Sequence, residues 1–358
     1  MPAMPDVHRE GAGISGQTLI ASLCQQIDDV LTPLLPGDEP CALLHFPSAS
    51  NAGDNAIWFG QTAYLHRRGI RIAYACEVAT YSKDLLAARI GRGPILLQGG
   101  GSLGDLWPAA EALRERVITD FPGHSIVQLP QTIHFRDIAT LRRVRAVFDR
   151  HRHLILLVRD QRSLEFARNE FAAKSLLCPD MAFALGPVAQ RSSTRRGIVG
   201  LLRTDQESAP VLWSQVQHRL ERKDWRTDTP LVHTLNRGAR LLQRGMNRAP
   251  RTAEWSWPVL LGLYNLIARR RLARGLRMLA TATCIITDRL HGHILCLLSG
   301  VPHVVLDNSY GKVRAFYETW TRNCDLVRWA ESPSEALRQA EAFACPPGTP
   351  VTQRRSMS

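Results

Sequence analysis

The stretch CIITDRLHGHILC, residues 284 to 296, carries a β-branched apolar run that stops on Asp288, Arg289, His291 and His293 and then restarts as an apolar helix. In α/β proteins ligands sit outside the carboxyl ends of strands, so this polar cluster is a candidate site. Arginine cannot be deprotonated and forks onto carboxylate or phosphate, which suits Arg289 to an anion clamp. Imidazoles titrate near neutrality, which suits His291 to general acid work beside it, although a lone histidine also has purely structural uses. Lys312, in LDNSYGKVRAF (306 to 316), adds a further cation. Read as metal ligands, the same residues lack a third imidazole or thiolate at a suitable spacing, so no metal is expected.

Three other stretches follow apolar runs and share the same rim. In NAGDNAIW (51 to 58), Gly53 permits a tight approach, and Asp54 and Asn55 stand at a helix start. Asp54 there either caps the helix or takes a proton from a substrate hydroxyl. GGGSLGDLW (99 to 107) matches G-x-G-x-x-G through Gly99, Gly101 and Gly104, but it follows the third strand, not the first. Asp120 is followed by FPGHS instead of ending a strand, so a dinucleotide is not expected, and the absence of a following Lys-Ser/Thr excludes a Walker loop. Gly100, Gly101 and Ser102 can instead bring backbone amides to an anion at a helix start. Finally, QLPQTIHF (128 to 135) precedes VRDQRSLEFAR (158 to 168), where Arg159 and Asp160 end a strand. Arg159 is a candidate clamp, and Asp160 either binds ligand or caps the next helix. Arg203 ends the run GIVGLL in the same way.

The elements that must position these residues are legible as alternating patterns. CALLHF (41 to 46), IRIAYA (70 to 75), PILLQ (94 to 98), SIVQLP (125 to 130) and LILLV (154 to 158) alternate with helical patterns, a βαβα arrangement with a mostly parallel sheet. LGPVAQRSSTRRG (185 to 197) breaks the alternation and reads as a linker. Strands are then expected at 197 to 202, 229 to 235, 284 to 288 and 303 to 307. The expected fold class is α/β, with two Rossmann-like doubly wound domains, 1–190 and 191–344, facing a cleft. The Pro- and Ser-rich tail, 345–358, is expected to be disordered.

The chain has 358 residues, with 45 Lys+Arg against 32 Asp+Glu, a net charge of +13 that points to anionic partners. Its eight cysteines are scattered without a C-x-x-C pair, as reduced thiols of a cytoplasmic protein would be. The longest apolar stretch, Trp257 to Ala268, is too short to span a bilayer. From Asn236 to Arg277 ten arginines meet a single acid, Glu254, among tryptophans, leucines and a tyrosine. Such a segment either lies on an anionic membrane surface or packs its apolar face on the protein.

Taken in order, NAGDNAIW, GGGSLGDLW, QLPQTIHF, VRDQRS, CPDMAFAL and ITDRLHGHILCLLSGVPHVVLDNSYGKV resemble the polysaccharide pyruvyl transferases, bacterial enzymes that attach pyruvate ketals to sugars of surface polymers. The resemblance spans about 45 to 320. It implies a two-domain architecture similar to GT-B glycosyltransferases, phosphoenolpyruvate as donor substrate, and no cofactor. It also implies a hexose acceptor in a glycan or lipid-linked oligosaccharide at the cytoplasmic face of the inner membrane, and so a reason for peripheral membrane contact through 236–277. By resemblance, Arg289 and His291 are the donor-binding pair and Arg203 a further match. Set against these residues, the expected chemistry has His291 protonating the methylene carbon or else only holding the phosphate, Asp54, in preference to Asp160, activating a sugar hydroxyl, and the cations stabilising departing phosphate. Residues 204 to 280 carry no matching motif, and acceptor specificity is expected partly there. The main alternative is a sugar-nucleotide-dependent GT-B glycosyltransferase. A protein that only binds nucleic acid or membrane through its charge is a rival of another class, but no nucleic-acid motif is present and nucleic acid is not an expected partner.

Overall fold

The computed structural model describes residues 13–35, 37, 39–189, 195, 197–209, 213, 219–249 and 253–344. The tail 345–358 and part of the 185–197 stretch lie outside the described residues.

The first half alternates strands and helices: α1 (Gly16–Leu31), β1 (Cys41–Leu44), α2 (Ala52–Arg67), β2 (Ile72–Cys76), α3 (Lys83–Ile90), β3 (Ile95–Leu97), β4 (Gly100–Gly104), α4 (Pro108–Asp120), β5 (Ile126–His134), α5 (Ile138–Phe148), β6 (Leu154–Val158), α6 (Gln161–Glu170) and β7 (Lys174–Leu177). The sheet runs β2-β1-β3-β5-β6-β7 with β4 beside β5, and every pairing is parallel. Strands buried on both faces read as continuous apolar runs, which is why CALL and LILLV announce themselves in the sequence. The chain breaks at Gln98 and Gly99 and resumes as β4 against the far end of β5. The β5–β6 register also shifts between Gln128 and Gln131, around Pro130, which has no N–H for the ladder. Buried glutamine side chains replace the missing bonds. Gln131 donates to the Gln98 carbonyl (2.9 Å) and accepts from the Ser102 amide (2.8 Å), and Gln128 donates to the Gln98 carbonyl (2.9 Å).

The second half contains β8 (Ile198–Leu201), β9 (Glu221–Lys223), α7 (Pro230–Arg248), α8 (Ala253–Ala280), β10 (Cys284–Thr287), α9 (Leu290–Leu298), β11 (His303–Val305), α10 (Lys312–Phe316), β12 (Val327–Trp329) and α11 (Pro333–Ala344). Its parallel sheet runs β12-β11-β10-β8-β9. Both halves are α/β and Rossmann-like. One continuous apolar cluster joins the first sheet to α2, α7, α8 and α9, and a smaller one lies between the second sheet and α11.

The strand expected at 229 to 235 is instead the start of α7. Thr229 caps it by accepting from the Val232 amide, Pro230 occupies its first turn, and Val232, Asn236, Ala239, Gln243 and Met246 are buried at helical spacing. A short apolar run does not by itself distinguish strand from helix; the cap and the proline decide. Together α7 and α8 fold back onto the first sheet. Gln243 donates to the Ala75 carbonyl (2.8 Å), Trp257 to that of Ile72 (3.2 Å), and Tyr264 stacks on Phe46 at 4.1 Å. The inner face of the basic segment is thus protein core. Among the described residues no helix is long and apolar enough to cross a membrane.

Candidate functional site

Strand β10 lies at the centre of the second sheet, and the polar residues that end it take four different roles. Asp288 accepts the Arg203 amide (2.8 Å), and burial raises its carboxyl to about 6. Arg289 is the N-cap residue of α9, folded back onto the Leu202 carbonyl (3.1 Å) and Asp224 (3.4 Å). His293 is fully buried against His303 (2.7 Å) and the Thr321 hydroxyl (2.9 Å). His291 faces the cleft. Residues two apart at a helix start lie roughly 200° apart around the axis, so the two imidazoles of HGH serve cleft and core separately.

His291 Nε2 lies 3.4 Å from Arg159 Nη1 and 3.6 Å from Asp180 Oδ2, while its Nδ1 is 3.9 Å from Asp54 Oδ1. Arg159, buried at the end of β6, donates to Asp180 (2.6 Å) and to the Thr132 hydroxyl (3.0 Å). Burial alone would raise the Asp180 carboxyl, but His291 and Arg159 together hold it well below the usual carboxylate range. Gly53 explains why NAGD and RLHG meet: a Cβ there would lie 2.3 Å from the His291 Cβ. The first turn of α2 can approach α9 only without a side chain.

A second cluster faces the first across Gly101. A Cβ on Gly101 would sit 3.1 Å from Arg159 Nη2 and 3.8 Å from Lys312 Nζ, so a side chain there would press on Arg159 and touch Lys312. Lys312 is ion-paired to Glu207. Arg203 pairs with Asp205 (2.8 Å) and with the same Glu207 (3.0 Å). Burial pushes the Lys312 ammonium down to about 8 against the pull of Glu207. Arg226 reaches Asp205 at 3.3 Å, and Tyr310, stacked on His134 at 4.2 Å, extends its hydroxyl to Glu207.

Most of these groups, though not Asp180 or Tyr310, line one cleft of about 440 Å³ between the two sheets. Its charged end holds Arg159, His291, Lys312, Arg203 and Glu207; Trp107, Pro108, Ala109 and Ala110 form an apolar wall elsewhere on it. Trp107 is 41 % exposed. His45, also on the wall, has φ of 73°, a left-handed conformation costly for a residue with a side chain. Burial, with Arg114 nearby, lowers its imidazole to about 4.

Of the residues singled out in the sequence, Asp54, His291, Arg159, Arg203, Lys312, Gly100, Gly101 and Ser102 line this cleft. Three do not. Arg289 is turned onto Leu202 and Asp224 as described. Asn55 is fully buried and donates to the Asn51 carbonyl (2.7 Å), holding the turn into α2. Asp160 caps α6 through the Ser163 amide (2.7 Å) and accepts the Thr132 hydroxyl (2.8 Å), which occupies both its oxygens. The helix-start reading of Gly100 to Ser102 is also corrected. These residues are strand β4, the following helix begins at Pro108, and the Ser102 amide already donates to Gln131.

Sequence reasoning missed Asp180, Asp205, Glu207, Arg226, Trp107 and His45. Asp180 follows β7 in CPDM, and Asp205 and Glu207 follow β8. The rule that strand ends face ligands would have found these three had those runs been read to their polar ends.

Residues 51–310 match the model of the family described as polysaccharide pyruvyl transferase. The chain is 32 % identical over 307 residues to pyruvyl transferase 1 of Schizosaccharomyces pombe, covering 81 % of this chain and 72 % of that protein. It is 28 % identical over 316 residues to the putative pyruvyl transferase EpsO of Bacillus subtilis, covering 88 % and 95 %. A crystal structure of a functionally uncharacterized protein from Klebsiella pneumoniae aligns with a TM-score of 0.55 at 16 % identity, over 87 % of this chain and 99 % of that one, a likeness of fold.

Proposed function

The chain belongs to the polysaccharide pyruvyl transferase family, and from that premise we propose that it transfers the pyruvyl group of phosphoenolpyruvate onto two hydroxyls of a hexose, releasing phosphate. The hexose belongs to a glycan, in our reading a lipid-linked polysaccharide precursor at the cytoplasmic face of the inner membrane. The two sheets facing one cleft act as the halves of a GT-B-like enzyme. One observation carries the reading. Arg159 and Lys312 converge on Gly101 beside His291, while Asp54 stands on the other side of the imidazole.

Phosphoenolpyruvate presents a phosphate and a carboxylate to this end. Arg159 and Lys312 meet them as cations already oriented by Asp180 and Glu207, so little reorganisation accompanies the reaction. His291, protonated, gives its proton to the methylene carbon, and positive charge develops at C2. A sugar hydroxyl attacks C2 while Asp54 takes its proton. A second hydroxyl then gives its proton to the now neutral His291 and forms its bond to C2 as the bond from C2 to the phosphate oxygen breaks; phosphate leaves against Lys312 and Arg203, carrying the proton that Asp54 took. Arg289 acts at one remove, fixing the start of α9 and with it the imidazole. The apolar wall at Trp107, on the same cleft as Asp54, offers the sugar ring a stacking face.

The test is phosphate release from phosphoenolpyruvate with and without galactosides, glucosides, mannosides and lipid-linked oligosaccharides, with mass spectrometry of the glycans. Acceptor-dependent release with a pyruvate ketal on one sugar is the expected result. Thermal stabilisation by a sugar nucleotide and none by phosphoenolpyruvate would overturn the reading in favour of a glycosyltransferase.

A further inference from the structure

The inner faces of α7 and α8 are committed to the core, but their outer faces carry an unusual surface. On α7, Leu231, Arg237, Leu241, Arg244 and Arg248 are exposed at helical spacing; on α8, Trp255, Val259, Leu266, Arg269, Arg270 and Arg277 are. Of the eight large hydrophobic residues exposed among the described residues, five lie on these two helices, with Trp255 86 % exposed. None of these six arginines forms an ion pair among the described residues. Because the helices pack on each other and bury their opposite faces in the same core, the two outward stripes make one surface.

We infer that this surface docks on an anionic lipid bilayer, with Trp255, Val259, Leu241 and Leu266 entering the headgroup layer and the arginines meeting lipid phosphates. Charge complementarity selects the occupant. A solvated face would not need clustered large apolar side chains, and an ordinary protein-binding patch would not need arginines without matching acids. The surface is also tied to the cleft. From the inner side of α8, Arg271 donates to the carbonyls of Pro47 (2.9 Å) and Ser48 (3.1 Å), and Arg274 to that of Ser50 (2.8 Å). Pro47 and Ser48 line the cleft, so its rim is fixed relative to the docking face. The docking itself does not depend on the transfer reaction; only the idea that it brings a lipid-linked sugar to that rim rests on the proposed function.

The experiment is sedimentation of the full chain with phosphatidylcholine vesicles, with and without phosphatidylglycerol, at two salt concentrations. Binding is expected only to the anionic vesicles and to weaken with salt. Each surface arginine contributes about 5-fold to such binding, so Arg237→Gln, Arg244→Gln and Arg270→Gln together should weaken it about 100-fold. Trp255→Ala should weaken it further, with thermal stability unchanged. Equal retention of the triple variant, or equal binding to neutral vesicles, overturns the inference. A concentration-dependent dimer abolished by Trp255→Ala overturns it too, by giving the face to a second copy. Phosphate release on a soluble acceptor, measured in the same variants, keeps a failure of docking distinct from a failure of the reaction.

Discussion

Arg270 and Arg271 are neighbours on α8, and they represent two populations of arginine in this molecule. Arg271 is fully buried, forks onto Asp228 (2.6 and 3.0 Å) and holds two carbonyls at the cleft rim. Arg270 is exposed. The cleft repeats the first pattern, with Arg159 on Asp180 and Arg203 on Asp205 and Glu207. The outer face of α7 and α8 repeats the second. A buried cation is tolerated only with a partner, and the partner fixes its direction; an exposed one keeps its rotamer freedom and is screened by salt. The net charge of +13 is therefore carried by two populations, one paired and oriented at the cleft, the other exposed on the outer face of α7 and α8.

The comparison breaks most visibly at His291, the imidazole beside the cleft arginines. His291→Gln keeps the size and one hydrogen-bonding group but removes the transferable proton, and should lower kcat about 10²- to 10⁴-fold. Stabilisation of the protein by phosphoenolpyruvate in a thermal melt should survive, because Arg159 and Lys312 remain. Turnover at the wild-type rate would remove His291 from the chemistry.

The parts of this design that the sequence disclosed are those set by local pattern. Doubly buried parallel strands are apolar runs, and the polar residues after them, Arg159, Arg203 and His291, fall at the rim by the geometry of the sheet. Strands such as GGSLG (β4) and ERK (β9) are not apolar runs; they exist because a neighbouring strand offers them a ladder. The carboxylates were hidden for a related reason. Glu207 and Lys312 are 105 positions apart, and nothing near either one in the chain announces the pair. Arg289 shows the opposite failure. It stands two residues from His291 in the same motif, yet the turn into α9 sends its guanidinium to Leu202 and Asp224 instead of the cleft.

The contrast within α8 should appear directly as stability. Arg271→Leu leaves Asp228 with only Arg274, strips the rim carbonyl of Pro47 of its donor and leaves that of Ser48 with Asn236 alone, so a loss of about 3 kcal/mol or more is expected in urea unfolding. Arg270→Gln, one residue away, should change stability by less than about 0.5 kcal/mol. Comparable losses in the two variants would mean that the two populations are not distinct.

The finest test uses Lys312, the cleft cation whose charge can be removed within an accessible pH range. Burial brings its ammonium down to about 8, whereas arginine stays charged throughout. As pH rises from 7 to 9, Lys312 loses its proton and KM for phosphoenolpyruvate should rise several-fold, while attachment to anionic vesicles through the arginines of α7 and α8 stays constant. Linkage gives stability the opposite slope. Between about 8 and the ordinary lysine range the unfolded chain binds more protons at this site than the folded one, so its contribution favours folding increasingly as pH rises through that window. Lys312→Arg should flatten the KM profile above pH 8, since a guanidinium keeps its charge beside Glu207. A KM limb that persists unchanged in that variant would assign the titration to another group and take Lys312 out of donor binding.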